Sequence, residues 1–194
     1  MNVQSSVRIK MVQVKSGKIS KISYNKIQEG LVFYLRDENK LTIAEPGSRH
    51  ELRRRYWTYA LPIIKEAHGK DGSFFNVSPT RENWINGFFG VSGFSICCVA
   101  NYDGARVEIV FQKSEKEENK KAFDALITHR AEIESTLGVV LNGNRAEDKK
   151  ASKVYIRLPN VSIESDVDWL QMARFHAEWS KKFQDVMVPL ITGA

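Results

Sequence analysis

Two β-prone runs, FSICCVANY (94–102) and ARVEIVFQ (105–112), stand on either side of Asp103-Gly104. An Asp-Gly pair between such runs is the favoured sequence for a tight two-residue turn, so 94–113 reads as an antiparallel hairpin. With Asp103 and Gly104 as the turn, Tyr102 faces Ala105 and the register follows. Ile96, Cys98 and Ala100 then share a face with Val107, Ile109 and Phe111. That is a core face, because side chains alternate along a strand. The other face carries Ser95, Cys97, Val99 and Asn101 opposite Gln112, Val110, Glu108 and Arg106.

Helices are needed to cover the apolar side, and three segments have the helical period. The first starts at Ser48, with Glu51 at capping-box spacing and Leu52, Tyr56, Tyr59, Ile63 and Ala67 on one stripe. Pro62 is expected to kink or split it. The second, 114–138, reads as a single helix with a capping box at Ser114 and Glu117. Its stripe is Phe123, Leu126, Ile127, Ile133 and Leu137; Gly138 caps it, and Arg130 pairs with Glu134 one turn later. The third closes the chain with Trp169, Met172, His176, Trp179, Phe183 and Val186. ASKVYIRLP (151–159) is a strand ended by Pro159, and NGNRAEDKK (142–150) is a polar turn. The stretch 76–94 is rich in turns that feed a sheet edge; its Gly87, Gly90 and Gly93 lack the strand, helix and Lys-Ser/Thr of a phosphate loop. The expected fold is α+β: a small, mainly antiparallel sheet with the 94–113 hairpin, packed against three long helices.

Residues 1–45 read differently. VRIKMVQV (7–14) and GLVFYL (30–35) suggest strands, and Pro46-Gly47 punctuates their end. This arm holds 8 Lys/Arg against 4 Asp/Glu, while the remaining 149 residues hold 21 against 19. The expected organisation is a basic β-rich arm over 1–45 and an α+β domain over 46–194. A basic arm suggests contact with a polyanion or a partner, including another copy of the chain; the plainer reading is that lysine keeps exposed strand edges from pairing. Across all 194 residues, 42% hydrophobic and 27% charged residues describe an ordinary folded domain rather than a disordered one. No apolar run reaches the ~18 residues of a membrane span, and MNVQSSVRIKMVQVK (1–15) lacks an uninterrupted apolar h-region, so no signal peptide is expected. The two cysteines, Cys97 and Cys98, are adjacent and point to opposite faces of a strand, so a reducing cytoplasm is the expected location.

Asp103, Glu108 and Lys113 invite comparison with a metal-dependent nuclease site. The spacing excludes it. Val110, not lysine, stands two residues after Glu108, and Lys113 falls on the opposite face. Asp103 belongs to the turn, roughly 15 Å of strand from Glu108, so one Mg²⁺ at ~2.1 Å from each carboxylate cannot bridge them. A partner for Glu108 is expected at Arg106, Lys113 or a neighbouring strand. A degenerate nuclease built from Glu66, Glu108, Gln112 and Lys113 is the third-ranked alternative. His50, His68, His129 and His176 have no ligand spacing, so no metal or other cofactor is expected. His176, on an apolar stripe, reads as a hydrogen-bonded core histidine. Two basic groups remain: Arg53, Arg54 and Arg55 beside Tyr56 and Trp57, and Lys149, Lys150 and Lys153. If they converge, they form a phosphate-binding patch with aromatic neighbours; otherwise they are two solvated faces.

Several segments, in order, resemble a bacterial domain of unknown function, catalogue number four-two-six-eight: RRRYWTYAL, ENWINGFFGVSG, ARVEIVFQ, NKKAFDALITHRAEIESTLG, KKASKVYI and a Trp-bearing terminal helix. The resemblance runs from about residue 50 to about 190. It implies an accessory α+β module, often placed C-terminal to a restriction-endonuclease-like domain and associated with DNA metabolism or phage defence. It carries no catalytic signature, so the expected function is a non-catalytic nucleic-acid-associated module. The alternative is an interaction or dimerisation module working through the N-terminal arm.

Overall fold

A computed structural model of the chain describes residues 23–27, 30–34 and 48–193. The chain forms two compact units, Met1–Pro46 and Gly47–Ala194. In the first, β1 (Ser23–Ile27) pairs antiparallel with β2 (Gly30–Tyr34), Ser23 opposite Tyr34 and Ile27 opposite Gly30. The sequence around β1 carries Asn and Lys and has little strand signal, which is why only β2 was expected. The strand expected over 7–14 lies outside the described residues.

The second unit runs α1 (Arg49–His68), β3 (Trp84–Gly87), β4 (Phe94–Ala100), β5 (Gly104–Phe111), α2 (Lys116–Thr128), α3 (Arg130–Leu137), β6 (Asn142–Asn144), β7 (Ser152–Pro159) and α4 (Trp169–Thr192). Its strands lie in the order β3-β4-β5-β7-β6, and every neighbouring pair is antiparallel. This is the expected α+β class. β3 and β6 are edge strands within the segments read as turns. Four and three residues long, they are too short to show a period of two.

One face of the sheet meets the helices. Ile85, Cys98, Val107 and Ile156 lie side by side across four strands, and Ile96, Ile109 and Val154 form the next row. They join Trp57, Ile64, Leu126, Met172 and Phe183 in one core. Each large apolar side chain so buried contributes ~1.5–3 kcal/mol.

The hairpin closes differently from the expectation. Ala100 pairs with Ala105, and the Asn101 N–H donates to the Gly104 carbonyl at 2.9 Å, so the connecting residues are Tyr102 and Asp103. Partners along β5 shift by two: Val99 faces Arg106, and Cys97 faces Glu108. An even shift leaves every side chain on its own face, so the core face was read correctly from the wrong register. Gly104 is drawn into β5 because it lies against β7. A Cβ there would stand 2.7 Å from the Leu158 carbonyl oxygen, and φ is 154°.

Three helix expectations change. α1 runs unbroken through Pro62. Pro62 and Thr58 are both exposed, so the carbonyl that loses its N–H partner faces water. Its buried side is Tyr56, Trp57, Ala60, Leu61, Ile64 and His68, rotated from the expected stripe; Ala67 is exposed. The rotation follows from α1 packing on α4 while the Trp57 indole N–H donates to the Glu82 carbonyl at 2.9 Å. The 114–138 helix is two, broken at His129 (φ −91°, ψ 6°). Thr128 there turns its hydroxyl to the Ala125 carbonyl at 2.7 Å, competing with the backbone ladder. The Arg130–Glu134 pair does form, at 2.8 Å. Neither capping box does: Glu51 bonds Arg54 instead, and α2 starts after Ser114, at Lys116.

Gly87 sits where β3 crosses the fully buried Phe74; a Cβ would lie 2.6 Å from that ring. Gly87→Ala is therefore expected to lower stability by about 1–3 kcal/mol. Urea unfolding, with the midpoint falling at unchanged slope, checks this.

Candidate binding face of the sheet

Alternate residues of the same strands build the second face. Trp84, Val99, Arg106 and Arg157 form one row across β3, β4, β5 and β7. Asn86, Cys97, Glu108, Tyr155 and Asn142 form the next, and Ser95, Val110, Lys153 and Asn144 the third. The buried helix residues join the opposite face; on this side Ser95, Cys97, Val99 and Glu108 are buried and Trp84 is exposed. Three cations and one carboxylate stand on it.

Glu108 is 4% exposed and is held between two of the cations. Lys153 Nζ donates to its Oε1 at 3.0 Å. Arg106 Nε lies 2.8 Å from the same oxygen, but its N–H does not point there, so this contact is coulombic rather than a hydrogen bond. Both cations also lie over the Tyr155 ring, at 5.8 and 5.7 Å from its centroid. Glu108 thus fixes two long cationic side chains around an aromatic ring without neutralising both. The third, Arg157, donates to the Asp103 carboxylate at 2.6 Å and to the Asp103 carbonyl at 2.8 Å, tying the hairpin turn to β7. A shallow depression of about 260 Å³ runs between Trp84 and Asn86 on one side and Arg106, Glu108 and Lys153 on the other.

The Cys97 thiol lies on the floor of that depression and is 6% exposed. Burial, and then the Glu108 carboxylate, push its ionisation far up, so it is not an activated nucleophile. Asp103 and Glu108 are separately engaged by cations, and Lys113 Nζ instead lies 5.5 Å over the Phe94 ring. Glu66 shares a depression with Arg174 and Glu178 on the helical side, across the sheet from Glu108. Among the described residues, no three His, Cys, Asp or Glu side chains gather as a metal ion requires.

Two histidines are core residues. His176 is fully buried; its Nε2–H donates to the Val99 carbonyl at 3.0 Å, leaving Nδ1 to accept from the Tyr56 hydroxyl at 2.8 Å. Ser180 Oγ stands 2.8 Å from His68 Nε2, with Gln184 Oε1 3.0 Å from the other ring nitrogen. That serine–histidine arrangement has no signal in the sequence, and Ser180 is wholly buried, out of reach of a substrate.

The two basic groups singled out in the sequence do not converge. Arg54 pairs with Glu51 at 3.1 Å, and the Arg55 guanidinium lies 5.7 Å from the Trp169 ring. Trp169 donates to the Ile163 carbonyl, and the Ile163 N–H donates to the Asn101 carbonyl, which places this cluster at the hairpin-turn end on the helical side. Tyr56 and Trp57 are buried and offer the arginines no stacking surface. Lys149 and Lys150 are exposed at the other end of β5, where Asn119 bridges the Lys113 and Lys150 carbonyls. The eight residues of β5 separate the two ends by about 23 Å. Only Lys153 of the six lies on the open face. Arg106, Tyr155 and Arg157 were missed, yet β7 shows their signal: Lys153, Tyr155 and Arg157 alternate with Val154, Ile156 and Leu158.

The family model of a domain of unknown function, DUF4268, matches residues 52–191. The chain belongs to that family. The match covers the whole open face of the DUF4268 domain, from β3 to β7. No curated protein and no solved structure matches the chain. Among the described residues, no helix is long and apolar enough to cross a membrane.

Proposed function

We propose that the DUF4268 domain is a non-catalytic module that binds nucleic acid, as an accessory part of a restriction or phage-defence system would. The observation that carries this reading is the make-up of this second face: Arg106, Lys153 and Arg157 around Tyr155 on an antiparallel sheet. Phosphates are held by such cations, and flat sheets with aromatic side chains present surfaces on which nucleotides lie. Lys149 and Lys150 extend the cationic surface at the far end.

Anisotropy titrations of labelled single-stranded and duplex DNA, at low and physiological salt and with and without Mg²⁺, test it. Binding is expected to weaken as salt rises, without cleavage. Lys153→Ala and Arg157→Ala are each expected to lower the salt slope by about one. Arg53, Arg54 and Arg55 contribute little in this reading; a loss from their joint alanine variant as large as that from Lys153→Ala and Arg157→Ala would move the contact to the helical side. Absence of binding at low salt rejects the function.

A second role, association through residues 1–45, is favoured by the antiparallel β1–β2 hairpin in that basic arm. Strand edges recruit partners through main-chain hydrogen bonds. Removing residues 1–45 is expected to reduce the solution mass to that of one chain while leaving most DNA affinity in place. Light scattering on both forms checks this.

A further inference from the structure

Three large apolar side chains lie exposed beside β3: Phe75 at 52%, Trp84 at 43% and Phe88 at 60%. All three line one open groove of about 890 Å³. The groove is no detached hydrophobic patch. Trp84 and Asn86 line both it and the depression that holds Arg106, Glu108 and Lys153. Trp84 also heads the row that ends at Arg157. Three strand spacings separate the two ends of that row, about 14 Å. A cationic track therefore leads directly to an aromatic groove with amide groups at its join.

We infer that this groove seats the unpaired bases of a single nucleic-acid strand whose phosphates lie on the cationic face. The inference rests on the nucleic-acid reading and adds its strand selectivity. Charge complementarity favours a polyanion: Arg106 and Lys153 share the single Glu108 carboxylate and leave one positive charge over, Arg157 is paired with Asp103 at the turn end, and among the residues lining the groove only Asp71 is acidic. A polyanion without bases has no use for the aromatic side chains, and duplex bases are stacked on one another and cannot reach them. Asn86 and Asn76, both on the groove, present amide donors and acceptors suited to base edges.

The test compares three labelled oligonucleotides of equal length at low salt: an intact single strand, the same strand with abasic sites throughout, and a duplex. The intact strand is expected to bind roughly tenfold more tightly than the other two. Phe75→Ala and Phe88→Ala should each remove about fivefold or more of that affinity and leave abasic binding unchanged, as loss of base stacking does. Indole emission should be quenched by the intact strand and not in Trp84→Phe, because Trp57 and Trp169 are buried and the half-buried Trp179 lies on α4, away from the groove. Both phenylalanines are exposed, so the variants should fold, and circular dichroism verifies it. Equal affinity for intact and abasic strands overturns the inference and leaves the cationic-face reading standing. Failure of every oligonucleotide to bind removes both. A dimer of the free protein that Phe88→Ala dissociates, with no change in the preference for bases, assigns the groove to a second copy of the chain and also overturns it.

Discussion

Replacing Lys120 with methionine is expected to destabilise the domain by about 3 kcal/mol, the scale of losing several charge-assisted hydrogen bonds inside a protein. Lys120 is 1% exposed, and among the described residues its ammonium group makes no salt bridge. Its ammonium group donates instead to the carbonyls of Arg145 at 2.5 Å, Ala146 at 2.8 Å and Lys149 at 2.9 Å, and to Ser152 Oγ at 3.0 Å. Three N–H bonds shared among four acceptors fold the β6–β7 connection around a single side chain of α2. Asn119, one residue before, bonds the Lys113 N–H and the Lys113 and Lys150 carbonyls. Together they hold the loop that carries Lys149 and Lys150 to the end of the sheet. Methionine retains the apolar stem but leaves the Lys149 carbonyl without this donor; the Arg145 carbonyl keeps a bond from Ser152 Oγ at 2.7 Å and the Ala146 carbonyl one from the Lys149 N–H at 3.0 Å. Urea unfolding should show the lower midpoint, and amide exchange should quicken over 145–150 first. DNA affinity should fall with it, because the loop lysines lose their fixed position. By contrast, Arg54→Ala breaks an exposed, solvent-screened pair with Glu51 and should leave the urea midpoint essentially unchanged. A Lys120→Met protein as stable as the parent would show that water satisfies these carbonyls.

The second large effect is a pH dependence of folding set by His176. Burial holds its imidazole neutral and pushes its pKa down to about 4, against the partial opposition of its bond to the Val99 carbonyl. The unfolded chain titrates near the ordinary histidine value of ~6.5. The unfolded state therefore binds the extra proton in the interval between, and stability falls as the solution is acidified. The His176 contribution is fully present above pH ~6.5 and is lost progressively down to pH about 4, on the order of 3 kcal/mol in all. His68 is also held below its usual value, chiefly by burial, and adds to the loss with the same sign. His176→Gln, which keeps a donor for the Val99 carbonyl without a titrating ring, separates the two. It should be less stable at neutral pH and show a shallower decline from pH 7 to pH 4. Parallel stability curves for the two proteins would contradict the assignment.

What the sequence made legible follows from where periodicity is strong. The 94–113 hairpin, the 151–159 strand and the closing helix all repeat their apolar residues at the spacing of the element they form, and each is present. Burial on the closing helix follows the predicted stripe: Trp169, Met172, His176 and Phe183 are buried, and Trp179 and Val186 half-buried. His176 is a core histidine as its place on that stripe indicated. The family resemblance, too, was carried by several such segments in order, and the match over 52–191 agrees with it. Short edge strands were not legible, because three or four residues cannot show a period. Nor was the partner of Lys120: a lysine between Lys121 and Asn119 in a polar stretch looks like any solvated charge.

The candidate site divides along the same line. Which residues share a face of β5 or β7 is a local property of extended backbone, so the sequence already places Glu108 with Arg106, and Lys153 with Tyr155 and Arg157. It did not determine that β7 lies beside β5, that the helices pack on the Ile96–Val107 side, or that Arg53–Arg55 and Lys149–Lys150 end about 23 Å apart. Those depend on strand order and on chain closure over tens of residues, where side-chain packing decides among pairings that local propensity leaves equal. Charge clusters in a sequence have no address until that packing supplies one, and here it turned a helix cluster and a loop cluster into separate surfaces and built the open face from residues that no run of basic sequence had marked.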